Sequence, residues 1–141
     1  MKEQVFFMDN TFPDTEKLYR AVFPPEMAAM YWKKDGSLSS AAFADPKGLS
    51  VERGNYRSDK DVAESMQERF QGRIIYVFSK NCKDVGAFVK YLPSRSSAYH
   101  SEIHGSETTV LLSKSQRNAL ARKAVRIWLK QTLRRKKDIK R

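Results

Sequence analysis

The clearest pattern of apolar and polar positions lies mid-chain. Val62, Met66 and Phe70 recur every four residues, the spacing that lays a stripe along one side of an α-helix. Ser58 stands where an N-cap belongs, acids crowd the first turn and Gly72 supplies a stop, so a helix is predicted over 59–70. The next segment, "RIIYVFS" (73–79), runs five apolar or aromatic β-formers together. An unbroken run of that kind suits a strand covered on both faces.

Elsewhere the pattern is weaker. "TEKLYRAVF" has Leu18 and Val22 at helical spacing but suits a short strand equally. Pro24 and Pro25 end it, and Pro25 is placed to open a helix "PEMAAMYWKK" with Met27, Met30 and Tyr31 on one side, before "KKDGS" turns the chain. Residues 37–54, "SLSSAAFADPKGLSVERG", are rich in small residues and broken by "DPKG". They predict a loop with short strand pieces at Ala41 to Ala44 and Leu49 to Val51. "KDVGAFVKYLP" fits either a helix containing Gly86 or a turn into a strand, closed by Pro93. "SRSSAYHSEIHGSETTVLLS" predicts one or two short strands, with "TTVLL" the clearer. The last element is the longest: Ser113 or Ser115 caps a helix from about Gln116 to about Leu133, with Leu120, Ala124, Ile127 or Trp128, and Leu133 as its apolar stripe. This order predicts an α+β fold, a small mixed or antiparallel sheet with packed helices and a long basic C-terminal helix. One domain would span 1–133, followed by a basic tail over 134–141.

Composition narrows the class. At 141 residues and 40% hydrophobic the chain can bury one modest core and is not of disordered composition. Its single cysteine, Cys82, excludes an internal disulfide and a cysteine-built zinc site. The apolar run before Asp9 is too short for a signal-peptide core, and no stretch is long enough to span a bilayer. A cytoplasmic protein without a membrane partner is expected.

Charge changes the picture most. The net charge is +11, yet it is not spread along the chain. From Lys114 onward stand twelve Lys or Arg against one acid, Asp138, while bases and acids balance over residues 1–113. Charge of that density binds phosphates by releasing counterions, and guanidinium groups add bidentate contacts. The bland alternative, a solvated helix face, ordinarily intersperses both signs. Arg117, Arg122, Lys123, Arg126, Lys130, Arg134, Arg135, Lys136 and Lys137 are therefore the candidate nucleic-acid-binding residues. The pattern does not distinguish RNA from DNA, nor either from an acidic protein partner. Trp128 could stack on a base, although its place in the apolar stripe favours packing.

A second candidate is "YHSEIHG" (99–105), which holds both histidines of the chain. On a strand, His100, Glu102 and His104 share one face. Same-face neighbours on one strand stand roughly 7 Å apart, too far to converge on one ion, so no self-contained metal site is expected. General acid–base work by His100 beside Glu102 is chemically simpler. The plain reading is polar residues on a wet face. Cys82 in "KNCKD" has lysine neighbours that could activate a thiol, but a lone cysteine after a strand is ordinarily inert. No glycine-rich phosphate loop or other cofactor motif is present.

Two resemblances add expectations. The order Arg20, Ser39 or Ser40, Glu102 resembles the arrangement in ADP-ribosyltransferases. That resemblance implies phosphate contact for Arg20, a propping role for the serines and catalysis for Glu102. The chain departs from it in reading "SLSS" for the serine motif and in placing His100 two residues before the glutamate. Over roughly residues 18–127, the "SSAAF…LSV" segment and the later "YHSEIHG" are similar to a set of small uncharacterised bacterial proteins, which implies no activity. The leading expectation is an accessory module that binds nucleic acid or another polyanion through its C-terminal helix and tail. The alternatives are a nuclease-like or ADP-ribosyltransferase-like enzyme using His100, Glu102 and Arg20, and a toxin–antitoxin or phage-defence component that docks on an acidic protein.

Overall fold

Six strands and three α-helices are present in the computed structural model of the chain, which describes residues 9–70 and 72–127. The strands are β1 (Lys17–Val22), β2 (Leu49–Arg53), β3 (Arg73–Phe78), β4 (Phe88–Tyr91), β5 (His100–His104) and β6 (Val125–Arg126). They form one antiparallel sheet in the order β4-β5-β2-β1-β3-β6. The helices are α1 (Asp59–Gln67), α2 (Ser79–Asp84) and α3 (Lys114–Lys123). The fold is α+β. Among the described residues, no helix is long and apolar enough to cross a membrane.

Alternation divides the sheet into two faces. On the first, Leu18, Val22, Leu49, Val51, Ile75, Val77 and Ile103 meet Phe43, Leu112, Leu120 and Cys82 in the larger core. On the second, Tyr19 and Ile74 meet Val62, Ala63 and Met66 of α1. Because β3 contributes Ile74 to one face and Ile75 and Val77 to the other, it is covered on both sides, as its unbroken apolar run predicts.

Local signals hold where they are strong. Ser58 caps α1 by accepting from the Asp61 amide, and Asp59 and Asp61 occupy the first turn. The helix stops at Gln67, however, leaving Phe70 beyond it and exposed. "TEKLYRAVF" resolves as β1, and "KDVGAFVKYLP" as the end of α2, a turn at Gly86 and β4. The helix expected over "PEMAAMYWKK" is only a 3₁₀ turn, Ala29–Tyr31. The cause is tertiary: Trp32 is drawn under the core, its indole donates to the Phe23 carbonyl, and its backbone bridges to Leu38. "TTVLL" is irregular, with Val110 and Leu111 exposed.

The long C-terminal helix is also corrected. Ser113 and Gln116 form a reciprocal capping box, and Leu120 and Ala121 turn into the core. The helix then ends at Lys123, Ala124 is extended, and β6 pairs with β3. β-Branched Val125 and Ile127 suit this, and the Ile127 amide donates to the Ile74 carbonyl. The sheet offered partners that helix continuation did not. The expected helical positions beyond Ile127, including Lys130 and Leu133, and the tail over 134–141 lie outside the described residues.

One polar contact pins α1 to the sheet. Asp59 Oδ1 accepts from Tyr19 Oη at 2.6 Å and from Lys17 Nζ at 3.0 Å. Partial burial would raise the Asp59 carboxyl, but these two hydrogen bonds outweigh it and hold the group below the usual carboxylate range. A depressed carboxylate stabilises the fold above its unfolded-state value, and that contribution is lost as pH falls through the folded-state value. Asp59→Asn is therefore expected to lower stability by about 1 kcal/mol or less at neutral pH, screened because the group is part-exposed. Thermal melts of the variant and the parent should converge as pH drops below about 4.

Candidate functional site

α1 packs over β1 and β3, so β2, β5 and β4 carry no helix on that face among the described residues. A cleft of about 520 Å³ opens there. Its floor holds Ala21, Ser50, Glu52 and His100, Met66, Arg69 and Phe70 wall it from the α1 end, and Phe23, Ser96 and Ser97 complete the rim.

Register explains the floor. Glu52 pairs opposite His100 and Ser50 opposite Glu102 across β2 and β5, so residues about fifty apart in sequence meet on one face. His100 Nδ1 lies 2.8 Å from the Leu92 carbonyl oxygen, and Nε2 lies 3.2 Å from Ser50 Oγ. A carbonyl only accepts, so Nδ1 carries the proton in the neutral ring and Nε2 is left to accept from the Ser50 hydroxyl. Glu52, with a side chain 5% exposed, is held by Arg69, and Arg57 Nη2 stands 3.5 Å from Oε1. That Oε1 accepts no hydrogen bond among the described residues.

The three catalytic candidates separate. His100 enters the cleft. Glu102 and His104 share its sheet face but bond each other, Oε1 to Nε2 at 2.8 Å. The Glu102 carboxylate also rests against the backbone of Gly48, whose φ of +115° and missing Cβ admit it. Arg20 borders the cleft, but alternation between Leu18 and Val22 points its side chain to the first face. There it donates to the carbonyls of Ala42 and Ser50, both at 3.0 Å. Arg20 and Glu102 are thus not brought together, and Ser39 Oγ is occupied by the Met30 carbonyl. Among the described residues no three His, Cys, Asp or Glu side chains are placed to hold a metal. Cys82 is fully buried, and burial pushes its thiol up to about 12, the opposite of activation.

The basic residues form a second region on the first face, where α3 gives way to β6. A groove of about 400 Å³ is lined by Trp32, Lys33, Leu38, Ala121, Arg122 and Arg126 among others, with no carboxylate in its lining among the described residues. The Arg126 guanidinium stands 5.1 Å from the Trp32 ring centre and that of Arg73 stands 5.8 Å away. Burial, and then the like charge of Arg73, pull the Arg126 guanidinium below its ordinary value. Arg122 and Lys123 are exposed. Arg117 instead donates to the Leu112 carbonyl at 2.6 Å, a local structural bond. Lys130, Arg134, Arg135, Lys136 and Lys137 lie outside the described residues.

Comparison with family models, with curated proteins and with solved structures finds no match for this chain. Function is therefore read from its own residues. Sequence reasoning singled out His100 but missed Ser50, Glu52 and Arg69 in the cleft, and Lys33 and Arg73 beside the basic groove. Alternation along "LSVER" places Ser50 and Glu52 on one face. Nothing local says which strand lies beside them.

Proposed function

We propose that the protein binds nucleic acid through the basic groove at the α3–β6 junction together with the basic segment that follows it. The observation that carries this reading is charge placement. A groove bordered by Lys33, Arg122 and Arg126, with no lining carboxylate among the described residues, stands where the chain enters its last fifteen residues, and the first 113 residues are charge-balanced. Phosphates gain most where cations crowd without compensating acids, because each phosphate neutralised releases condensed counterions. Burial, and then the like charge of Arg73, lower the Arg126 guanidinium, and an arriving phosphate would relieve the second of these. The planar guanidinium fork also matches two phosphate oxygens at once, which an ammonium cannot do.

The test is the affinity for labelled single-stranded RNA and for duplex DNA, measured by anisotropy on three proteins: the intact chain, a chain ending at Leu133, and Lys33→Ala/Arg122→Ala. Both altered proteins are expected to bind roughly tenfold more weakly or worse. For duplex DNA the salt slope should become shallower by about 0.9 for each phosphate no longer neutralised. A tail-less protein that keeps both affinity and slope removes the tail from the interface. A groove variant that keeps both removes the groove. Tight capture of an acidic polypeptide with no affinity for either oligonucleotide would replace nucleic acid with an acidic protein as the partner.

A further inference from the structure

The cleft on the opposite sheet face holds an arrangement that polyanion binding does not use. We infer that Ser50 is an activated nucleophile with His100 as its base, in a site that hydrolyses carboxylic esters with an apolar acyl group.

Three observations join. The first is the ordered hydrogen-bond chain from Leu92 through His100 to Ser50, at 2.8 and 3.2 Å. The Leu92 carbonyl fixes the tautomer that leaves Nε2 free to take the hydroxyl proton, so nucleophile, base and orienting group stand in sequence. The second is access: Ser50 is exposed although it lies on an interior strand of the sheet, because no helix covers β2 on that face among the described residues. A serine there faces a formed cleft and not bulk solvent. The third is the lining. Phe23, Met66 and Phe70 give one side an apolar wall, with both phenylalanines exposed at the rim. Arg69 lies within the same cleft, clamped at Nη2 by buried Glu52. Its other guanidinium donors have no hydrogen-bond partner among the described residues, which leaves them for a developing oxyanion.

The chemistry balances without a cofactor. Ser50 Oγ attacks the ester carbonyl carbon while its proton passes to His100 Nε2. The bond from carbon to the alcohol oxygen breaks, and the departing alkoxide takes the proton from His100. Water then attacks the acyl-Ser50 ester, His100 again accepting a proton and returning it to Ser50 Oγ as the acid leaves. Arg69 acts by charge on the carbonyl oxygen. Glu52 is a positioning residue that holds Arg69.

The intact chain is treated with a fluorophosphonate probe and mapped by peptide mass spectrometry, and hydrolysis of 4-nitrophenyl butyrate is followed in parallel. The probe should attach at Ser50 with loss of fluoride. Ser50→Ala should abolish both label and turnover, and His100→Gln should slow both by about 100-fold or more. Glu52→Gln should lower kcat while Ser50 still labels. Because the mapping uses the unaltered protein, it does not depend on any variant folding. No label at Ser50, label confined to another residue, or unchanged rates in a folded His100→Gln protein would each overturn the assignment.

Discussion

Glu16→Ala is expected to cost about 3–5 kcal/mol. Arg53 is 1% exposed, and its guanidinium is met on nearly every edge. Nε donates to Glu16 Oε2 at 2.8 Å and Nη2 to Oε1 at 2.9 Å, while Asp9 and Thr11 carbonyls take the remaining bonds. Phe12 lies under the guanidinium at 4.0 Å. Removing Glu16 strands a buried cation, which is far worse than losing one hydrogen bond. It also frees the Asn55 amide, which donates to Glu16 Oε2 at 3.0 Å and so holds a turn in which Asn55 and Tyr56 both have positive φ. Neither is glycine, so that turn persists only while its anchors do. In thermal melts a fall of roughly 10–20 °C is expected. Glu16→Leu/Arg53→Met should recover part of the loss, because no charge is then buried, but not all of it, because the Asp9 and Thr11 carbonyls and the Asn55 amide lose their partners. A Glu16→Ala protein destabilised by less than about 1 kcal/mol would show that water reaches the pair.

Leu120→Ala is expected to cost about 3–4 kcal/mol, as for a fully buried leucine whose cavity cannot collapse. Leu120 enters the larger core from α3, where Ala121 lies beside it against the same cluster. Gln116 ties the helix start down, its Nε2 donating to the carbonyls of Val85 and Gly105 at 3.0 and 2.9 Å. Exposed Arg122 and Lys123 thus stand on a helix the core needs. Chemical denaturation of Leu120→Ala, set beside exposed Arg122→Ala, separates the two roles: the first should lose stability, the second affinity for nucleic acid. Equal small losses of stability in both would mean that α3 lies loosely on the sheet.

What the sequence made legible was local. Ser58 with the acids after it announces α1, the β-former run announces β3, and Ser113 with Gln116 announces the start of α3. Each signal acts within one turn or one strand. The larger misses depended on tertiary partners. The continuous helical period through Ala124 gave no hint that β3 would accept Val125 and Arg126 as a strand. The helix expected near Met27 yielded to burial of Trp32 against a distant core. His100 was recognisable because the chain has only two histidines and both stand in one short segment. Ser50 was not, since a serine in a strand becomes chemically interesting only when the register sets a base beside it. Glu16 and Arg53, 37 residues apart, look like ordinary surface charges until β1 and β2 pair.

Phosphate recognition by concentrated positive charge is the function proposed for this chain. The most direct measurement is the salt dependence of its affinity for duplex DNA and for single-stranded RNA between about 50 and 200 mM monovalent salt. The predicted result is a linear fall of log K with log salt at a slope of about −4 or steeper on duplex DNA, the signature of four or more phosphates neutralised. A slope near zero, or no affinity at the low-salt end, would contradict it.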